Sequence, residues 1–235
     1  MEAKSSASIS ALMSDHVVWL LPVVLSTMAG AVDVIGFLTL GGLFTAHITG
    51  NLVIVVAHYL TGRFGQIGPL LSVPMFITVL GVVTSIFANK QTRLTRRILL
   101  VLQALLLAAF LWLGVEFGPF ANPDAGTGIV VGMLGVAAMA IQNALIRLAL
   151  PGSPSTAVMT TNTTQLAVDL AMVIRRRDDP DQLARSRHRV YLIFPSIAGF
   201  VVGCAAAAFL EVDYGLKALW FPVALGEHWR DHPTT

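Results

Sequence analysis

Asp33, His47 and His58 stand inside sequence that is otherwise suited to lipid, in the run DVIGFLTLGGLFTAHITGNLVIVVAH from Asp33 to His58. A second polar interruption, QNALIRLALPGSPSTAVMTTNTTQLAVD, runs from Gln142 to Asp169. A carboxylate at membrane depth must be paired, protonated or solvated, because its charged form is costly there. Asp33 therefore reads as an ion or proton site, the other reading being a structural hydrogen bond or an ion pair with Arg147. Imidazole exchanges protons near neutral pH, which makes His47 and His58 candidate proton-linked groups. Asp169 joins them by position, although it stands only six residues before Arg175 and a surface location would serve as well. Neutral amides and hydroxyls can hold a polar solute or ion without charge of their own. Thr49, Asn51, Gln142, Asn143, Thr160 and Asn162 are the candidates for that role. Interhelical hydrogen bonding is the plainer reading of Gln142 and Asn143.

The two runs align. Thr49-Gly50-Asn51 matches Thr160-Thr161-Asn162, and Asp33 falls opposite Gln142 once the second linker is about two residues longer; His58 then falls opposite Asp169. Each copy carries a breaker cluster, Gly41-Gly42 or Pro151-Gly152-Ser153-Pro154, then hydroxyls and Asn, then an apolar run. Helices starting at the triplets would aim free backbone N–H groups and a positive dipole end into the membrane. Two such ends facing each other would form a midplane site. The plainer reading is that Thr and Asn cap a broken helix.

Hydrophobic residues form 55% of the chain and charged ones 12%, and soluble domains carry roughly twice that charge. With a mean hydropathy of +0.76, the expectation is an all-α polytopic membrane protein rather than a barrel of alternating strands. Apolar segments are expected at 17–40, 44–60, 69–89, 98–118, 126–150, 156–174, 190–210 and 214–226. Met1 to Asp15 lacks the positive region of a signal peptide, so Val17–Ala31 reads as a retained span. Cys204 is the lone cysteine, so no intramolecular disulfide is available. The spacing of His47 and His58 fits no zinc motif. No metal, cofactor or catalytic residue is expected, and no nucleic-acid partner.

Lys90, Arg93, Arg96 and Arg97 fill one loop, and Arg175, Arg176, Arg177, Arg185, Arg187 and Arg189 another. Both should be cytoplasmic, and the Glu116–Ala125 loop, which lacks Lys and Arg, external. Two apolar segments lie between that loop and the second basic cluster, so they must cross once net, with one re-entrant or broken. The first two segments match them. The expectation is about six net crossings plus two broken or re-entrant segments, with both termini cytoplasmic. The halves are two inverted-topology repeats, 17–120 and 121–226, flanked by a flexible tail at 1–16 and a C-terminal tail at 227–235. The whole forms one membrane domain. Gly199-x-x-x-Gly203 reads as a close-packing face within or between protomers.

The run AGAVDVIGFLTLGGLFTAHITGN and the later AIQNALIRLALPGSPSTAVMTTNTT resemble the YoaK-type bacterial integral membrane proteins, a family without an established function. Gly30, Asp33, Gly41, Gly42, Phe44, Thr49, Gly50, Asn51, Gln142, Asn143, Ser155, Thr156 and Thr160 carry the likeness. His47 departs from it, as does Thr161-Asn162 where the family pattern has Gly-Thr. The resemblance implies a bacterial inner-membrane protein and names no reaction. From the residues, the expected function is a secondary transporter or permease for a small polar solute or ion. Its midplane site would lie between the repeats, its partner would be the lipid bilayer, and a homo-oligomer is compatible. A channel, a non-transporting membrane assembly or structural protein, and an intramembrane enzyme are the other readings, the last without a nucleophile–base arrangement to support it.

Overall fold

The computed structural model describes residues 2–63, 65–88, 92–150, 153–156, 159–175 and 179–230. Among them are eight α-helices and no strand: α1 (Glu2–Thr39), α2 (Ile48–Thr61), α3 (Ile67–Phe87), α4 (Arg93–Phe117), α5 (Gly126–Ala149), α6 (Met159–Arg175), α7 (Pro180–Tyr214) and, after a 3-10 segment at Gly215–Leu219, α8 (Trp220–Arg230). Five stretches are long and apolar enough to cross a membrane: Leu20–Thr39 of α1 and the whole of α3, α4, α5 and α7. Pro151, Gly152, Lys90, Arg176, Arg177 and the tail at 231–235 lie outside the described residues.

The helices outrun the apolar segments where water-facing turns extend them. α4 starts at Arg93, because the Thr92 side chain accepts the Thr95 N–H and supplies an N-cap. Likewise α7 starts ten residues before Val190, with Pro180 in its first turn, where a missing N–H costs nothing. Hydropathy marks the part in lipid, whereas caps mark the helix.

Two ends of the bundle can be told apart. At one, the Asp124 carboxylate accepts the backbone N–H groups of Gly65, Gln66 and Ile67 at 2.8–3.3 Å, tying the α2–α3 turn to the α4–α5 turn. The last turns of α1, α4 and α7 meet at this end around one cavity, which touches Leu38, Gly114 and Tyr214. The opposite end carries Arg93, Arg96 and Arg97 at the start of α4. Arg185, Arg187 and Arg189 near the start of α7, and Arg175 at the end of α6, lie there too. Both basic clusters thus share one end of the bundle.

α1 and α5 are the innermost helices. In their apolar windows 67% and 72% of residues are buried, against 11% to 28% for α3, α4 and α7. α1 packs chiefly on α7, and α5 on α3 and α4; α2 lies on α3, and α6 on α7. The Gly199-x-x-x-Gly203 face belongs inside the protomer. A Cβ at Gly203 would stand 2.0 Å from the Thr27 carbonyl oxygen, and one at Gly30 would meet the Phe200 carbonyl at 2.3 Å. Small residues let the two backbones touch, as membrane helices need when no hydrophobic drive separates them from lipid.

At the Asp124 end the chain makes a second close approach. Gly41 (φ +63°) and Gly65 (φ +91°) sit in left-handed backbone conformations, and a Cβ on Gly65 would be 2.5 Å from the Gly41 oxygen. The Asp124 clasp holds this contact. Burial pushes the Asp124 carboxyl up, but the N–H groups of Ile67, Gly65, Gln66 and Gly68 outweigh it and hold its pKa below the usual aspartate range. A depressed folded pKa gives stability that is complete above about pH 4 and lost as the pH falls through the folded value. Asp124→Asn should therefore lower the thermal midpoint in detergent at neutral pH, by the equivalent of about 1–2 kcal/mol for a lost cap. The gap between variant and wild type should close on acidification below the ordinary aspartate pKa. A gap that widens in acid would refute the assignment. Gly203→Leu should disperse the folded species in gel filtration, since the α1–α7 contact has no space for a side chain.

Candidate functional site: two stapled helix breaks

α1 ends at Thr39 beside Gly41, and the chain then turns back. Phe44 to His47 runs non-helically alongside α1, and α2 starts at Ile48 and returns to Gly62. Asp33 makes this possible. Its Oδ1 accepts the Thr45 N–H (2.7 Å), the Thr45 hydroxyl (2.9 Å) and the Ala46 N–H (2.6 Å). Its Oδ2 meets His47 Nδ1 at 2.5 Å. The Asp33 side chain is only 3% exposed and that of His47 32%, so the imidazole is the accessible member of the pair. Arg147 is exposed and is not the partner of Asp33.

Asn51 secures the other side of the break. Its Oδ1 accepts the Phe44 N–H at 2.8 Å, and its Nδ2 donates to the Phe44 carbonyl at 2.7 Å and to the Ser72 hydroxyl on α3 at 2.6 Å. Asn51 is thus not an N-cap. It sits in the first turn of α2 and reaches back to the chain entering it. Thr49 is exposed, and the N-cap position, His47, makes no side-chain cap bond.

The second break is held by side chains at corresponding positions, with different bonds. Gln142, buried on α5, donates from Nε2 to the Thr156 hydroxyl and to the Leu25 carbonyl of α1, both at 2.9 Å. Its Oε1 accepts from Gln103 Nε2 of α4 at 2.6 Å. Asn162, in the first turn of α6, donates from Nδ2 to the Ser155 carbonyl at 2.6 Å, seven residues upstream, just as Asn51 reaches Phe44 seven residues upstream. Gln103 Oε1 and Ser26 Oγ are buried without a hydrogen-bond partner among the described residues. A void of about 10 Å³ adjoins Gln103, about the room one water needs.

The structure therefore brings Asp33, His47 and Asn51 together, and Gln142 with Asn162, but in two separate places. Gln142 touches α1 at Leu25, eight residues from Asp33, or about 12 Å along the helix. Among the described residues Asn143 bonds back to Met139 of its own helix, and Thr160 is exposed. His58 Nδ1 lies 3.2 Å from the Gly65 carbonyl, bracing the α2–α3 turn. Asp169 is fully buried and ion-paired with Arg189 of α7, so it is not a surface group. Among the described residues, no three His, Cys, Asp or Glu side chains gather as a metal group.

The family model described as "Protein of unknown function (DUF1275)" matches residues 21–226, which includes both breaks. The chain belongs to that family. The match agrees with the resemblance to YoaK-type membrane proteins. No curated protein and no solved structure matches the chain. In this DUF1275 member, sequence reasoning passed over Thr45, Ser72, Gln103 and Asp124, and read Arg189 as one member of a basic loop. Thr45 and Thr156 each stand six residues before the stapling Asn, a signal present in the aligned runs. Gln103 is a lone amide in an apolar helix, and its partner lies 39 residues away.

The arrangement can do two things chemically. It satisfies broken backbone inside an apolar bundle. It also places a partly exposed imidazole on a buried carboxylate, a pair able to pass a proton inward. Asn51→Ala should cost about 2–4 kcal/mol of stability, because it strands Phe44 N–H and Phe44 C=O and removes a donor from the Ser72 hydroxyl, which keeps its bond to the Pro69 carbonyl. Asn162→Ala, losing one strong bond among the described residues, should cost less. Thermal unfolding of both in the same detergent checks the order, and equal losses would contradict the bond count. Asp33→Asn keeps an acceptor for Thr45 and Ala46 and should fold, whereas Asp33→Leu should not.

Proposed function

We propose that the chain is a small secondary transporter for a polar solute or ion in the bacterial cytoplasmic membrane. In this reading it is built from inverted repeats at 17–120 and 121–226. The observation that carries it is the recurrence of one stapled break in each half. Asp33 holds Thr45 and Asn51 holds Phe44; Gln142 holds Thr156 and Asn162 holds Ser155. Repeated breaks in inner helices are how many carriers place polar groups at depth.

The packing supports it. Exchanging α1 with α5, α2 with α6, α3 with α7 and α4 with α8 turns the α1–α7 contact into α5–α3, α2–α3 into α6–α7, and α4–α5 into α8–α1. Direction supports it too. α1 runs toward the Asp124 end and α5 away from it, so corresponding helices run oppositely. The 3-10 segment and α8 together extend about 26 Å back toward Leu100, which supports counting them as a sixth crossing. The basic clusters at one end support a cytoplasmic location for that end and, in this reading, for both termini.

The moving parts differ from the repeats. α1 packs with α7, which carries α6, and α5 packs with α3 and α4, with α2 alongside. Each bundle draws helices from both halves. The chain passes between bundles at the α1–α2 and α5–α6 breaks, so rocking would bend the backbone there. Solute would pass along α1 and α5, meeting the Gln142 and Asp33 groups in turn, with Asp33–His47 supplying proton coupling. Thr49, Asn143 and Thr160 are then lesser contributors than Asp33, Asn51, Gln142 and Asn162.

Sided thiol labelling tests the inversion. In a Cys204→Ala background, Gln66→Cys should react with an impermeant maleimide in intact cells, and Asp179→Cys only after permeabilisation. Labelling of both from the same side would end the inverted-repeat reading. In proteoliposomes, a solute that drives saturable proton movement in wild type but not in Asp33→Asn would support a carrier; non-saturating conductance would support a channel.

A further inference from the structure

The cavity at the Asp124 end, about 460 Å³ in volume, belongs to neither break. It is of ligand size. Leu38 of α1, Val115 of α4, Phe120 of the α4–α5 turn and Tyr214 of α7 give it apolar and aromatic walls. Glu211 and Lys217 also line it. Neither the carboxylate nor the ammonium has an ion-pair or hydrogen-bond partner among the described residues, where the ion pairs are Asp33–His47 and Asp169–Arg189. Two opposite charges lining one cavity, each unpaired, match a ligand that carries both signs.

Depth narrows the ligand. Tyr59, Trp112, Tyr214 and Trp220 are all exposed near this end of the bundle, the pattern of aromatic side chains at the headgroup level. Leu38 and Val115 are exposed as well, so apolar surface continues from the cavity onto the lipid-facing wall. The occupant has a charged head and an apolar body.

We propose that this cavity binds a lipid headgroup in which a phosphodiester is followed by a primary ammonium. Glu211 takes the ammonium, and Lys217 the phosphate. Leu38, Val115, Phe120 and Tyr214 flank the glycerol and upper acyl chains. A carboxylate discriminates a primary ammonium from a trimethylated one because only the former donates hydrogen bonds.

Native mass spectrometry of the full chain in detergent tests this with dioleoyl phosphatidylethanolamine, phosphatidylcholine and phosphatidylglycerol. The ethanolamine lipid should be retained about tenfold better than the other two, the value of one charge-assisted hydrogen bond. Glu211→Gln should abolish that preference. Lys217→Gln should weaken the ethanolamine and glycerol lipids alike. Val115→Trp fills the cavity without touching either charge and should remove retention of all three. Soluble glycerophosphoethanolamine that displaces the lipid at equal concentration would assign the same chemistry to a free solute, and failure to displace assigns it to the lipid. Equal retention of the three lipids by wild type overturns the proposal, as does a preference that survives Glu211→Gln or Val115→Trp.

Discussion

Inside a bilayer an unpaired backbone N–H or C=O has no water to turn to, and that constraint shapes this molecule. A helix meets it by itself, but a chain that stops being helical at membrane depth needs side chains to do so. Asp33, Asn51 and Asn162 do that for the two breaks, and Gln142 ties the second to α5 through the Thr156 hydroxyl. The innermost helices carry two of them, where other protein rather than lipid surrounds the bent chain. Remove that service and neither α2 nor α6 could begin where it does.

The breaks also set the arrangement of the bundle. Since the chain doubles back after α1, α2 falls on α3 rather than on α1's own principal partner, α7. The same happens after α5. The result is two interleaved groups of helices instead of two consecutive ones. Glycine-to-backbone contact joins α1 to α7 within one group, and the Gly41–Gly65 approach brings the turn after α1 against the turn before α3 of the other, where side chains could not fit. Asp124 and the Asp169–Arg189 pair brace opposite ends.

Much of this was legible in the aligned polar runs. Asn51 and Asn162 each donate to a carbonyl seven residues upstream, and Asp33 and Gln142 each meet a threonine hydroxyl, Asp33 as acceptor and Gln142 as donor, with the two-residue difference in linker length reappearing in the Thr45 and Thr156 contacts. The start of α2 at Ile48 lies one residue from the Thr49 expected. What stayed hidden depends on contacts between distant segments. Charge alone suggested Arg147 for Asp33, whereas the turn after α1 delivers His47. Proximity to Arg175 made Asp169 look superficial, whereas α7 folds over it and brings Arg189. The axial offset between the two polar groups is a matter of depth, which spacing along one chain does not encode.

The α1–α7 contact has a consequence for how the protein is made. The Cys204 thiol reaches the Gly30 carbonyl across 174 residues of chain, so the first helix leaves the ribosome long before its main partner exists. Until then α1 must reside in the translocon or in lipid with one face uncovered. Its acid is not uncovered for long, however. The groups that bind Asp33 arrive within 14 residues, in the same short stretch of nascent chain. The carboxylate can be wrapped locally as soon as that turn emerges, and the helix then waits with a face of glycine and apolar side chains that lipid tolerates.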